Sequence, residues 1–587
     1  SSSDLGNDSS GNNNDFTVSN VSAHDQMLDT PTFNSDSNGG NFPTYNPLLK
    51  APTGLALSEG NLKATLTVDD NGIMTNWQVP VTGKWYWEID VDSIAGSHGV
   101  YIGVMPANTD LTINQESNNL GLVYYSINGN SILKGTRSSY GATYTTGDII
   151  SIAVDRDADT IQFYKNGSGQ GTIDISSLDE EFFCYMGYTG GSGPCSTILN
   201  FGQDGTFAGN VTAGGNSDGT GYGNFKYSVP SGFLALCSGN QPVADAVDPA
   251  QTDNYPQKLV DPIIYTGTGS EKAVAVGWQP DLTWVKERGG ANDNKLTDSV
   301  RGATKALESN TNTAETTDAQ GVKAFTSTGF TLGTDAVYNN NTDTYVAWNW
   351  KEGADYGLDI VAYSGTLTGS GVVNISHSLG AIPECIWHMR RTGAGGAIRH
   401  KDLTDANYII SNNDTMSGSS GTGWGKSAQG SKSGNGNMTA LGTSSTFTTN
   451  YTGLLNENGN TYVAYVWRGI EGFSKFGSYE GNGDGSDGPF IYTGFRPALV
   501  IIKNADANAS FFLQDNTRDP FNPVYHVLKP NVSNAEEAYT DGTDYNDFLS
   551  NGFKVARGGD PANFNVSNNT YIYMAWAHNP FKYSLAR

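Results

Sequence analysis

At 587 residues the chain exceeds what one hydrophobic core supports, and about 100–200 residues per domain implies about four domains. Charged residues make up only 16%, glycine contributes 73 positions and aromatics 11%, the profile of a loop-rich all-β protein; a disordered chain lacks the aromatics and a helical one is richer in Ala, Leu, Glu and Lys. The formal charge of −26 argues against nucleic acid and anionic membrane surfaces, whose partners cluster Lys and Arg.

In chain order, residues 1–14 are a polar low-complexity linker, and residues 15–56 form an irregular lead-in expected to lie against the next domain. The first residue is not Met, which points to the C-terminal portion of a longer polypeptide, and no stretch approaches the ~20 apolar residues of a membrane span. From residue 57 the character changes to short strands bounded by turns: 60–68, 83–91, 100–104, 147–155, 160–167 and 197–202. The second alternates, with Trp85, Trp87, Ile89 and Val91 on one face and Lys84, Tyr86, Glu88 and Asp90 on the other.

The ordered series Trp85-Tyr86-Trp87-Glu88, Ile102-Gly103-Val104, Gly147-Asp148-Ile149-Ile150, Val154-Asp155 with Phe163-Tyr164-Lys165-Asn166-Gly167, and Leu199-Asn200-Phe201-Gly202 resembles the SPRY domain over about residues 81–207. The resemblance implies a bent, two-sheet, concanavalin-like antiparallel sandwich that binds partners through loops at one end, here 105–120 and 125–143, without catalytic activity of its own. Residues 225–236 are expected to close this domain, which runs over 57–240, and 241–257 to link it onward.

Three times thereafter the chain writes nearly the same strand: 344–350 (TYVAWNW), 461–467 (TYVAYVW) and 570–576 (TYIYMAW), each after an Asn/Gly/Asp-rich turn. An opening phrase precedes each copy, Tyr265-Thr266-Gly267, Tyr363-Ser364-Gly365 and Tyr479-Glu480-Gly481, as does a proline four residues before an apolar strand residue: Pro280 with Trp284, Pro383 with Trp387, Pro497 with Ile501. A Gly-Phe block appears in the first and third copies, at 328–332 and 551–555. The tyrosine-to-tyrosine separations of 80, 99 and 92 residues are too long for solenoid units or propeller blades. The fold class expected is therefore all-β, a SPRY-like antiparallel sandwich followed by three β-sandwich-type repeat domains at 258–353, 357–472 and 473–587. Trp348, Trp350, Trp467 and Trp576 are expected in their cores. Length variation falls in Gly/Ser/Asn loops, where insertion costs little.

Little in the sequence marks catalytic or metal chemistry. Seven scattered histidines show no i, i+4 zinc spacing, and four cysteines (Cys184, Cys195, Cys237, Cys385) form no framework and read as buried thiols. Residues 483–488 match GxGxxG literally, but Pro489 follows and no βαβ unit surrounds it. Two acidic turns, Asp155 with Asp157 and Asp159, and Asp484 with Asp487, suit Ca²⁺ or are ordinary turns. Aromatic rings flanked by amides suit sugars, which nominates Tyr124, Tyr125, Asn128, Arg137, Tyr140 and, in a Gly/Ser loop, Trp424. No cofactor other than Ca²⁺ is expected.

The repeats, together with 277–286 and Asp298-Ser299-Val300-Arg301-Gly302, resemble the distal part of tail-fibre or receptor-binding proteins of marine bacteriophages. The second repeat lacks the Asp-Ser-Val-Arg-Gly block. This resemblance implies a non-enzymatic virion tail-fibre or adhesin segment binding a host-surface ligand, a glycan foremost, as a homo-oligomer, a trimer, alongside other virion proteins. The alternatives are a purely architectural virion component (head fibre, collar or decoration protein) and a glycan depolymerase, whose two carboxylates the sequence does not single out.

Overall fold

A computed structural model describes the chain apart from residues 1–4, 9, 20–26, 31–32, 34–37, 51, 115–116, 118, 179–180, 192, 312, 370, 394–395, 404–407, 412–424, 429–440, 451–454, 508, 540–543, 559–563 and 585–587. It is all-β and divides into two compact units, one of residues 1–242 with 582–586, the other essentially 243–581.

The first unit is an antiparallel sandwich. One sheet runs through Leu55–Ser58, Lys63–Leu66, Cys195–Asn200, Lys84–Ile94, Ile149–Asp155, Thr160–Lys165 and Ser168–Asp174; the other through Gly72–Gln78, Phe182–Thr189, Gly99–Pro106, Leu122–Tyr125, Asn130–Leu133 and Thr136–Ser139. The alternation of 83–91 holds, but both faces are buried: Tyr86, Glu88 and Asp90 are as inaccessible as Trp87 and Ile89. The cover is the closing segment. It contributes only the two-residue strand Leu234–Ala235, parallel to Lys84–Ile94, and otherwise works through hydrogen bonds. Glu88 accepts from the backbone N–H of Lys226 and Tyr227 (both 2.8 Å), from Tyr86 Oη and from Asn200 Nδ2, and Phe225 sets its ring edge-on to Tyr86. A carboxylate with four donors can be buried where an unpaired one cannot. The lead-in is likewise docked, Tyr45 Oη bonding Thr197 Oγ1 at 2.6 Å.

In the second unit each repeat builds a main sheet and a small one. The main sheets place the repeated strand between the opening strand and the post-proline strand: Val260–Thr266, Thr344–Trp350, Leu282–Glu287; Leu358–Ser364, Thr461–Trp467, Cys385–Arg390; Ser474–Glu480, Thr570–Pro580, Phe495–Asn504. The repeated phrases meet in register. Tyr265 lies opposite Tyr345, Tyr363 opposite Tyr462 and Tyr479 opposite Tyr571, each pair stacked at 5.0–5.2 Å. The glycine two residues on is needed for close approach, since a Cβ on Gly267, Gly365 or Gly481 would strike the carbonyl oxygen of Asn340, Glu457 or Val566. The small sheets carry Phe330, Phe447 and Phe553, all fully buried. The second repeat thus has the third block after all, on strand Thr446–Asn450, with Thr446 in place of its glycine.

The expectation of three separate small domains is corrected by the packing. The repeated strand is buried on both faces, and in the first two copies its two alternating sets of side chains have different destinations. Tyr345 and Ala347, like Ala464 and Val466, pack toward the small sheet of their own repeat. Val346, Trp348 and Trp350, with Val463, Tyr465, Trp467, Ile572, Met574 and Trp576, join one cluster shared by all three repeats. The repeats are therefore lobes of one body, and tryptophans assigned to three cores share one. Trp284 meets Trp387 edge-on at 5.0 Å and Trp576 meets both Trp350 and Trp467. Val247, in the stretch read as a linker, is part of the same core.

The lobes contact one another in cyclic order. Where lobe 2 meets lobe 1, Tyr465 Oη donates to Asp298 Oδ2 at 2.9 Å, Arg301 bridges Asp298 and Glu315, and Arg391 grips Glu315 with two bonds. Where lobe 1 meets lobe 3 the pattern recurs: Trp348 Nε1 donates to Asp515 Oδ2 at 3.0 Å, Arg518 bridges Asp515 and Glu536, and Arg288 grips Glu536. At the third seam the equivalent positions hold His400, Leu403, Ala505 and Met574, and His400 Nε2 lies 3.3 Å from the Tyr573 carbonyl oxygen.

Candidate functional site

The candidates in the first unit gather around the hairpin that follows Leu122–Tyr125. Along this strand alternate side chains take opposite faces, which separates the two adjacent tyrosines. Tyr124 turns inward among Tyr140, Tyr144 and Phe163 with ring centroids 4.9–5.4 Å away, and its hydroxyl donates to the Ala142 carbonyl. Burial, with Tyr140 beside it, pushes that hydroxyl up to about 12. Tyr125 turns outward, stacks on Tyr101 at 4.5 Å and is covered by the Arg137 guanidinium, 5.5 Å from its ring centroid. Neither ring is open to a sugar face, which corrects the expectation of an exposed stacking platform. Tyr140 is half-buried and structural, its hydroxyl donating to Gly171 O at 2.5 Å and accepting from Phe163 N–H at 3.1 Å, so that it ties the hairpin to the edge of the opposite sheet.

What reaches solvent is Arg137 on an entirely exposed edge strand, Asn128 at the turn tip, and Ile127, 47% exposed. Asn128 Oδ1 accepts from Asn130 N–H, which fixes the turn. A guanidinium braced by an aromatic ring, an amide and an aliphatic side chain on rigid strands can donate hydrogen bonds and shed apolar area; it supplies no general base or nucleophile. Trp424 lies outside the described residues.

The calcium candidates are arranged as turns. Asp155 Oδ1 accepts from the N–H groups of Asp157 and Ala158 and its Oδ2 pairs with Lys84 at 2.6 Å; Asp157 accepts from Gly83 N–H, and Asp159 sits at φ 49°. Asp484 Oδ1 accepts from Ser486 and Asp487 N–H, and Asp487 pairs with Lys554 at 2.6 Å. Among the described residues no group of three His, Cys, Asp or Glu side chains is set to hold a metal ion. All four cysteines are free and buried.

Strongly perturbed groups also sit inside the lobed unit. Burial, aided by Asp359, lifts the Glu352 carboxyl to about 7, but Glu352 also accepts from Ile360 N–H and Asp359 from Ser378 N–H, so both are held by the walls around them. Burial depresses His400 to about 3 and drives His388 well below the usual range. The cavity at the centre of the lobes, about 10 Å³ and walled by Trp284, Trp350, Trp387, Trp467, Trp576 and Met574, is too small for a ligand.

Residues that sequence reasoning passed over include Asn339, Asn456 and Asn565. Each is fully buried and uses its side-chain oxygen to accept the N–H that follows the opening tyrosine by three residues, at Thr268, Thr366 and Asn482. The signal was present: an asparagine stands six residues before the strand tyrosine in all three copies. These asparagines shape the loops at the tyrosine end of every lobe.

Residues 84–204 match the family model of the SPRY domain, and residues 255–580 match that of a domain of unknown function, DUF7483. Among solved structures, the SPRY domain of human HERC1 is 18% identical over 26% of this chain and 96% of that one, with a TM-score of 0.21. A human SPRY domain is 15% identical over 25% and 94%, at 0.20, and stonustoxin 18% identical over 27% of each chain, at 0.22. No curated protein sequence matches. With more than half of its residues in that one match, and a SPRY domain at 84–204, the chain belongs to the DUF7483 family.

Proposed function

We propose that the chain is a non-enzymatic binding component of a virus of bacteria, a tail-fibre or adhesin segment that engages a host-surface ligand, a glycan foremost, through loops of its SPRY domain and lobed unit. The observation that carries the reading is the Ile127, Asn128 and Arg137 surface: polar donors and an exposed apolar side chain set on a braced hairpin. The strongly perturbed acids and bases support it from the other side, since they are consumed in closing the lobes or bracing loops. Three lobes give one chain three sets of amide-rich loops, so display as a homo-oligomer, a trimer on the virion, multiplies weak contacts by avidity. The charge of −26 fits partners other than nucleic acid or a membrane interior.

The test is adsorption of the purified full chain to envelope fractions and glycan arrays, with Arg137→Ala and Asn128→Ala beside the wild type. Loss of at least about tenfold in affinity is expected for Arg137→Ala, which removes charged hydrogen bonds worth about 1.5–3 kcal/mol, and a smaller loss, up to about tenfold, for Asn128→Ala, whose amide bonds are worth about 0.5–1.5 kcal/mol. Absence of any adsorption, or adsorption indifferent to both substitutions, overturns the reading. A purely architectural role is favoured by one observation, that the Asp–Arg–Glu–Arg networks all serve lobe closure; imaging of the whole particle separates the two.

A further inference from the structure

Lys286 and Lys503 occupy one position in two lobes, opposite Val346 and Ile572 of the repeated strand; lobe 2 has Met389 there, opposite Val463. Both lysines are fully buried, at 0% and 1% exposure. Lys286 Nζ donates to the carbonyl oxygens of Glu287 (2.7 Å) and Gly290 (2.8 Å), and Lys503 Nζ to those of Asn504 (2.6 Å) and Ala507 (2.9 Å). Among the described residues neither nitrogen has a carboxylate within ion-pair distance. An ammonium brings three N–H donors and a charge that needs a counter-charge when buried; a neutral amine brings two donors. Each site offers two acceptors and, among the described residues, no counter-charge within ion-pair distance, which suits the amine, and Met389 shows that the lobe can fill the position with an apolar side chain.

We propose that Lys286 and Lys503 form a built-in pH sensor: as pH rises from neutral into the mildly alkaline range the folded protein sheds their protons while the unfolded chain keeps them, so that the lobed unit tightens. Burial depresses Lys286 to about 8 against the opposing pull of Glu287, Asp293 and Glu536, and Lys503, with burial alone acting, to about 7. The neighbouring Arg288 is tied to Glu536, and the Phe511 ring centroid lies 5.9 Å from Lys503 Nζ. Between these values and the ordinary lysine value of about 10.4 the unfolded chain holds more protons, so stability rises with pH in that window, whereas below it both states are protonated, the burial cost is present in full and these groups add no pH dependence. Asp261 and Glu352, whose buried carboxyls are lifted to about 7 with help from Asp515 and Asp359 respectively, act in the opposite sense and below the window.

Urea denaturation of the full chain, followed by tryptophan fluorescence from pH 6.5 to 9.5, tests this. The unfolding constant should fall about tenfold per pH unit between about 7 and 8, where Lys503 alone differs, and up to about a hundredfold per unit from about 8 upward. Lys503→Met should remove the first part, and the Lys286→Met, Lys503→Met double variant should flatten the whole window. A flat wild-type profile, or a double variant that keeps the wild-type slope, overturns the proposal. Carbon NMR of the lysine Cε in the wild type reads ionisation without substitution: two signals titrating near 7 and 8 support it, and lysine signals that all titrate above about 10 refute it, whether or not the variants fold.

Discussion

Replacing Arg518 by Leu, the residue that lobe 2 uses at the equivalent position (Leu403), should cost about 3–5 kcal/mol, the expense of leaving half of a buried ion pair behind. Arg518 and Asp515 are both wholly inaccessible. The guanidinium donates to Asp515 Oδ2 at 2.6 Å, to Glu536 Oε2 at 3.1 Å and to the Leu513 carbonyl at 2.9 Å, and lies over the Trp348 ring. Without it Asp515 keeps two backbone donors and the Trp348 indole, too little to offset a desolvated charge. Adding Asp515→His restores the pair that lobe 2 packs, His400 with Leu403, and removes the orphaned charge, while Glu536 retains Arg288. The double variant should therefore lie within about 1–2 kcal/mol of wild type, a coupling of at least about 2 kcal/mol between the two positions. Urea denaturation at pH 7, with unfolding by circular dichroism and fluorescence required to coincide, reads all four proteins. Additive losses, with the double variant worse than either single one, would refute the reasoning that lobe 2 shows the apolar solution to the same seam.

Asn456→Ala should destabilise the lobed unit by about 2–3 kcal/mol, because it strands the Thr366 N–H that the buried amide accepts at 2.6 Å and removes the bond it donates to Thr449 Oγ1 at 2.7 Å; the urea midpoint checks it. Acid should weaken the same unit: burial raises Glu315 and Glu536, but Arg391 with Arg301, and Arg288 with Arg518, outweigh it and hold both below the usual range. Carboxyls depressed in the folded state contribute stability above the unfolded value of about 4.3 that is lost as pH falls through the folded one, so thermal midpoints should drop below pH 4.5, less steeply in Arg288→Met, Arg391→Met. Chelator or added CaCl₂ should leave the melting curve unmoved, since backbone N–H groups and lysines already occupy Asp155, Asp484 and Asp487; a rise of several degrees with calcium would count against this.

Strand periodicity and repeated phrases were enough to read the all-β class and the threefold recurrence, because each depends on local pattern, while the SPRY sandwich followed from the resemblance carried by five ordered motifs. The stacked tyrosine pairs were implicit in it: an opening Tyr and a strand Tyr recur with their flanking Gly, and they meet in register in every lobe. The candidate site was legible only in part. Sequence pattern nominated Arg137 and Asn128, which are exposed, but could not separate Tyr124 from Tyr125, since strand alternation assigns opposite faces without saying what covers each. The equivalence of Asp515 and Arg518 with Asp298 and Arg301 was hidden by the change of the intervening residues, Asn516 and Thr517 for Ser299 and Val300.

What the amino-acid order determined by itself was therefore the strands, their copies and the tight turns rich in glycine and asparagine, all set by interactions within a few residues or between phrases of fixed spacing. What only the tertiary structure decided was that three such copies share a single tryptophan core and grip one another in a ring. The reason is physical: a strand with apolar residues on both faces states that both must be buried, but not against which partner, and that choice rests on contacts between residues more than two hundred positions apart, such as Arg288 with Glu536.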